Sequence, residues 1–211
     1  MNGSVVPLGK PRPERADAAR NRELLLANVR EMLAAGGAGS VTMDALAERA
    51  QLGKGTVFRR FGTRAGIFRA LLDADERSFQ EQVLYGPPPL GPGASALDRM
   101  VAYGQARIAF LLDHHSVARA ALDRNQPAPA GEATITRVHL RMLLGQAGLN
   151  LPDLDTLAVQ LTGALEGPLL LYVVLPEPET PPSPAAGRPL AESWSVLVHR
   201  LLRAEPGTTP G

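Results

Sequence analysis

T-M-D-A-L-A-E-R-A-Q-L-G-K-G-T-V-F-R-R-F, from Thr42 to Phe61, reads as two short helices joined by a tight turn. In the first, Ala45, Leu46, Arg49 and Ala50 come round to one face at helical spacing, with Leu46 as the anchor. Thr42 is a good N-cap, and Asp44 in the first turn suits the positive end of the helix dipole. Gln51-Leu52-Gly53 forms the turn, with Leu52 as an apolar plug between the helices. The second helix, from Lys54, buries Val57 and Phe61 and turns Lys54, Thr56, Arg59 and Arg60 outward. Basic and hydroxyl side chains on the free face of the second helix make this a helix-turn-helix, a DNA-reading unit.

The charge distribution points the same way. The chain of 211 residues has a net charge of only +1, but residues 1–64 hold 11 bases against 6 acids and the remainder 11 bases against 15 acids. A basic head on an acidic body is the footprint of a nucleic-acid-binding end. There are no cysteines, which excludes disulfides and thiolate metal sites. The N-terminus lacks the apolar run of a signal peptide, and the longest apolar stretch, Leu169–Leu175, is too short to cross a bilayer. A cytoplasmic protein with no membrane partner is expected.

Outward from the helix-turn-helix, every ordered segment reads as helix. Residues 1–14 are Gly/Pro-punctuated, and a disordered basic arm is expected there. Lys10, Arg12 and Arg15 suit either a minor-groove contact or a solubilising tail. A first helix runs from about Asp17 to Gly36-Gly37 and buries Leu25, Val29, Met32 and Leu33. A connecting helix, 63–85, starts at an N-cap Thr63 and ends before the break Gly86–Gly93. Further helices are expected at Ala94–His114, Ser116–Asn125, Glu132–Ala147 and Asp153–Val174, the last with a possible kink at Gly167-Pro168. A proline-rich loop at Leu175–Pro189 follows, then a helix at Leu190–Ala204 and a disordered tail at 205–211. The expected architecture is all-α, about nine helices in two parts. A three-helix DNA-binding domain occupies 15–62, and a second helical domain occupies 94–204.

Residues 15–72 resemble the DNA-binding domain of the TetR (tetracycline repressor) family of bacterial regulators. The likeness is carried by R-A-D-A-A-R-N-R-E-L-L-L-A-N-V-R at Arg15–Arg30, V-T-M-D-A-L-A-E-R-A at Val41–Ala50 and F-R-R-F-G-T-R-A-G-I-F-R-A-L-L at Phe58–Leu72. It covers about the first third of the chain. The resemblance implies a homodimeric regulator, a repressor that binds a palindromic double-stranded operator and is released by a small effector. It implies that Thr42 meets a phosphate and that Lys54, Gly55 and Thr56 open the recognition helix. Phe58 stands where the family most often has tyrosine, and Arg59 and Arg60 flank it. Arg64 replaces the usual lysine and keeps its phosphate role with a bidentate fork. Base readout centres on Lys54, Thr56, Arg59 or Arg60. Two departures concern the backbone. Gln51 holds a turn position where the family favours glycine, at a cost of about 1–2 kcal/mol if left-handed. Gly53 replaces a hydroxyl N-cap, a loss of only a few tenths of a kcal/mol.

The family also places an effector pocket among the helices after the connector. Polar residues stranded in apolar runs are the pocket candidates: Tyr103, Arg107 and His114, with Glu166 and Tyr172. Glu166 needs a partner, a ligand or a proton, and Arg107 suits it as partner. His114-His115 does not chelate, because adjacent helical residues point about 100° apart, and helix C-capping accounts for it better. No cofactor is implied and no cluster has metal-ligand spacing. The apolar surplus of the last two helices marks the expected dimer interface at Leu157, Leu161, Leu165, Trp194, Leu197, Val198 and Leu201. Two other readings compete. A small helical enzyme would use Glu166, Arg107 and a histidine, but no nucleophile–base pair is visible. A ligand-independent DNA-architecture protein would explain the head and leave the apolar body without a task.

Overall fold

The computed structural model describes residues 13–122, 135–149, 152–174 and 184–203. Among them the elements are all helical: α1 (Pro13–Ser40), α2 (Met43–Arg49), α3 (Lys54–Phe61), α4 (Arg64–Tyr85), α5 (Ala96–Asp113), α6 (His115–Ala121), α7 (Ile135–Gln146), α8 (Leu154–Val174) and α9 (Pro184–Arg203). The chain divides into two compact units, residues 1–71 and 72–211, with the division inside α4.

In the first unit, Leu25, Leu26, Val29 and Met32 of α1 are buried together with Val41, Leu46, Val57, Phe61, Ile67 and Phe68. These positions recur at helical spacing, so three short elements close over one small core. Gly37 interrupts α1 with φ 65° and ψ −172°, an angle pair that a side-chain-bearing residue rarely adopts. The helix stop expected at Gly36-Gly37 is therefore a break within a longer helical run that resumes to Ser40. Thr42 caps α2, its Oγ1 accepting from the Ala45 N–H at 3.1 Å. The buried face of α2 is Leu46 with Ala47, not the expected set of Ala45, Leu46, Arg49 and Ala50. Arg49 is exposed instead and pairs with Glu31 of α1 at 2.5 Å.

The second unit is a bundle with α5 at its centre, packed against α6, α7, α8 and α9. Ser95 caps α5 reciprocally: its Oγ accepts from the Asp98 N–H at 3.1 Å and donates to Asp98 Oδ2 at 2.7 Å. The core contains Phe79, Met100, Tyr103, Ile108, Leu140, Leu143, Leu144, Ala158, Leu161, Leu165, Trp194 and Val198. Trp194 donates its indole N–H to the Met100 carbonyl at 3.0 Å.

Several expectations are corrected here. Helix α9 begins at Pro184, so the loop expected to reach Pro189 gives way to helix six residues early. Proline is well tolerated at a helix start, and Pro189 costs α9 one main-chain hydrogen bond. Helix α1 begins at Pro13, inside the expected arm. The rest of that arm, most of the loop and the 205–211 tail lie outside the described residues. Four of the seven residues expected at a dimer surface, Leu161, Leu165, Trp194 and Val198, are 0–4% exposed within their own chain and have no surface to offer. Leu157 and Leu201 are half-buried against the same core. Leu197 is 42% exposed, beside Val196 at 61%, and Val159 on α8 is 51% exposed. An apolar surplus on a helix shows that something covers it, and here α5 does most of the covering.

Candidate nucleic-acid interface and body network

The turn of the helix-turn-helix is built by main-chain bonds. The Leu52 N–H reaches the Ala47 carbonyl at 2.9 Å and the Gln51 N–H reaches the Glu48 carbonyl at 3.0 Å. This is the paired closure of a Schellman motif, and it requires a left-handed residue just after the C-cap Ala50. Gln51 supplies it with φ 53°, the one non-glycine residue at positive φ among those described. Helix α3 then starts at Gly53, which offers no side-chain cap, and buries Val57 and Phe61.

The opposite face of α3 is exposed at Lys54, Gly55, Phe58 and Arg59 and half-buried at Thr56 and Arg60. Phe58 is 62% exposed, a large apolar side chain held out among cations. Lys54 Nζ lies 2.9 Å from Asp44 Oδ1, with both side chains well exposed. Such a pair is worth little and yields readily to a stronger anion. Arg59 Nη2 donates to Thr56 Oγ1 at 3.3 Å, which leaves most of its guanidinium donors unused by that bond.

Arg64 is differently placed. Its Nε donates to the Val41 carbonyl at 2.7 Å and its Nη2 to the Ala38 carbonyl at 2.5 Å, and the guanidinium lies over the Phe68 ring at 4.9 Å. It therefore braces the α1–α2 connection. Two of its five N–H donors are occupied in this way, so a phosphate contact at Arg64 would share the side chain with a structural role.

In the second unit three of the five candidate pocket residues, Tyr103, Arg107 and Glu166, meet in one hydrogen-bonded chain. Tyr103 Oη donates to Thr136 Oγ1 at 2.9 Å, and Thr136 Oγ1 donates to Glu166 Oε1 at 2.5 Å. Glu166 Oε1 also accepts from Arg107 Nε at 3.0 Å, and Arg107 Nη1 reaches Glu76 Oε2 at 2.6 Å. Arg107 sits between the Phe79 and Phe110 rings, 5.7 and 5.3 Å from their centroids. Burial opposes its charge, but Glu76 and Glu166 outweigh that cost and hold the guanidinium above its ordinary value. Burial pushes the Tyr103 hydroxyl up to about 12, so it stays protonated and donates. His114 is the C-cap of α5, with Nδ1 2.8 Å from the Phe110 carbonyl and Nε2 3.1 Å from Asp75 Oδ2. The backbone of Tyr172 lies in α8; its side chain is outside the described residues.

Glu76, Thr136, His139 and Arg99 belong to the same seam and escaped the sequence reading. Thr136 and His139 lie three apart in an α7 dominated by apolar residues, and Arg99 precedes Tyr103 by one helical turn. That i, i+3 and i, i+4 placement of polar groups on faces otherwise buried was the available signal. Two clefts open elsewhere. One of about 200 Å³ is lined by Gln105, Ile108, Leu112, Gly187 and Ala191, and one of about 160 Å³ by Ile108, Leu165, Pro168, Trp194 and Leu197. Neither contains the expected pocket residues. Among the described residues, no group of three or more His, Asp or Glu side chains is placed to hold a metal ion, and no helix is long and apolar enough to cross a membrane.

Residues 25–71 match the profile described as bacterial regulatory proteins, tetR family. Among curated proteins, none matches this sequence. Three solved structures share the fold. A TetR-family transcriptional regulator from Pectobacterium atrosepticum is 18% identical with a TM-score of 0.63, covering 94% of this chain and 100% of its own. A TetR/AcrR-family regulator from Thermobifida fusca is 18% identical with a TM-score of 0.54, covering 89% and 100%. A tetR-family regulatory protein from Rhodococcus RHA1 is 17% identical with a TM-score of 0.52, covering 86% and 96%.

Proposed function

We propose that this chain, whose residues 25–71 match the tetR family of bacterial regulatory proteins, is a DNA-binding regulator of transcription of that family, a cytoplasmic repressor whose hold on a palindromic operator is released by a small effector. The observation that carries the reading is the outer face of α3, where Lys54 and Thr56 stand at a helix start with no side-chain cap and Phe58, Arg59 and Arg60 follow along the helix to its last turn. Cations and free amide donors at a helix start suit phosphate and base edges together. Thr42 and Arg64 are assigned to phosphates, and Lys54, Gly55, Thr56, Phe58, Arg59 and Arg60 to the groove.

A palindrome requires two such helices, so the working form is a homodimer. With Trp194 and Val198 committed to the core, the dimer surface is assigned to Val159, Val196 and Leu197. The second unit is assigned to the effector, around the seam that joins Tyr103, Arg107 and Glu166 to Glu76. Glu76 lies on α4, the helix that begins at Arg64. A ligand that breaks this seam acts on the connecting helix. An enzymatic role finds less support, since Glu166 is held in an ion pair with Arg107 and its oxygen is shared with the Thr136 hydroxyl.

The test is a mobility-shift titration against the DNA upstream of the protein's own gene. Sequence-selective binding that is lost in Arg59→Ala supports the reading, and equal affinity for unrelated DNA would overturn it.

A further inference from the structure

Arg99, at the end of the first turn of α5, is 7% exposed, and His139 of α7 is 3% exposed. Neither Arg99 Nε nor His139 Nε2 has a hydrogen-bond partner. Arg99 takes part in none of the ion pairs among the described residues, and the carboxylates of the seam, Glu76 and Glu166, are paired with Arg107. A buried guanidinium without a counter-charge is costly, and native interiors rarely leave one so. Arg99 and His139 are close enough for the cation to act on the imidazole. Burial first, and Arg99 second, push the His139 pKa down to about 4, so the ring is neutral at physiological pH.

The pair thus offers one positive charge, a planar set of N–H donors and one imidazole nitrogen, on two facing helices. A single negative charge spread over two coplanar oxygens complements this set. A phosphate dianion would leave surplus negative charge in the same seam as Glu166. Met100 and Leu140, next to the pair in sequence, and Leu143, one turn on from His139, belong to the buried apolar core, a surrounding that suits a hydrocarbon body. The His139 ring also lies 4.7 Å from the Tyr103 ring, and Tyr103 begins the hydrogen-bonded chain through Thr136 to Glu166, Arg107 and Glu76.

We propose that Arg99 and His139 bind the carboxylate of a small apolar monocarboxylic acid. The assignment rests on the reading that the second unit takes an effector, and it names the chemistry of that effector. Bound there, the carboxylate supplies the counter-charge that Arg99 lacks and touches the ring at the head of the seam.

The test titrates the full chain with acetate, hexanoate and benzoate, using chloride and hexanol as controls, by calorimetry and thermal melting. At least one of the acids should bind saturably, and hexanol should not. Arg99→Met should weaken that binding at least about thirtyfold, the scale for removing one partner of a buried charge pair. The variant should melt no lower than the wild type, because an unpaired buried cation has been removed. Absence of saturable binding by all three acids, or equal binding in Arg99→Met, overturns the proposal. Should Arg99→Met fail to fold, the His139 ring resonance of the wild type, identified by its loss in His139→Gln, decides. It must move with the acid and stay fixed with hexanol. Operator binding without any acid present reads the regulator assignment separately. A protein that binds its operator and no acid loses only this site, and one that binds acid but no DNA loses only the regulator assignment.

Discussion

A Cβ placed on Gly104 would stand 1.9 Å from Trp194 Nε1, so the indole of α9 lies directly on the backbone of α5. The same indole N–H is tied to the Met100 carbonyl one turn earlier, which leaves the ring no freedom to retreat. Gly104→Ala is therefore expected to cost about 3 kcal/mol, the upper part of the overpacking range. Urea denaturation checks it. The double variant Gly104→Ala with Trp194→Leu should lose less than the sum of the two single changes, since they share one contact.

At the turn, the left-handed Gln51 is the opposite case, a residue in a conformation that glycine would adopt freely. Gln51→Gly is expected to stabilise the first unit by about 1 kcal/mol. Thermal melting reads the change, and a lower melting temperature would contradict the backbone geometry described.

Arg64→Ala removes two hydrogen bonds to the carbonyls of Ala38 and Val41. The side chain is exposed, so the expected loss is about 1 kcal/mol of stability. If Arg64 also meets a phosphate, the slope of log affinity against log salt falls by about 0.9 as well. Stability and salt dependence measured on one variant separate the brace from the phosphate contact.

Acid should destabilise the second unit in a defined window. The folded pKa of His139 is about 4 against an ordinary value of 6.5, so between those values the unfolded chain binds more protons than the folded one. Stability then falls as pH drops from 6.5 towards 4, by up to about 3 kcal/mol from this residue. His139→Leu should flatten the curve across that window. A wild type and variant with parallel pH profiles would show that the imidazole is not held neutral.

Val196→Glu together with Leu197→Glu is expected to give monomers that keep their helicity and lose operator binding. Both positions are exposed, so the core is not disturbed. Sedimentation of wild type and variant at micromolar concentration checks it, and a monomeric wild type would remove the proposed surface.

What could be read from the sequence was local. Thr42 as a cap, and Val57 and Phe61 as the buried side of α3, follow from chemistry within one or two helical turns. Glu166 and Arg107 were also legible, because a carboxylate in the middle of L-T-G-A-L-E-G-P-L-L needs a named partner. Trp194 and Val198 were not. Their stripe demands cover, but a stripe does not say whether α5 of the same chain or a second chain provides it. The start of α9 was obscured by prolines that end helices in mid-sequence and begin them just as well. Thr136 and His139 passed unnoticed because only the packing of α7 on α5 turns them toward Tyr103.

The turn between α2 and α3 is closed by the amides of Gln51 and Leu52, and no side chain that faces outward takes part in it. The turn that carries α3 is thus closed by main-chain bonds whichever letters the helix carries at 54, 56, 59 and 60. If those four positions read base edges as proposed, exchanging them would alter which base pairs are preferred without rebuilding that turn, and new operator preferences would be within reach of single substitutions.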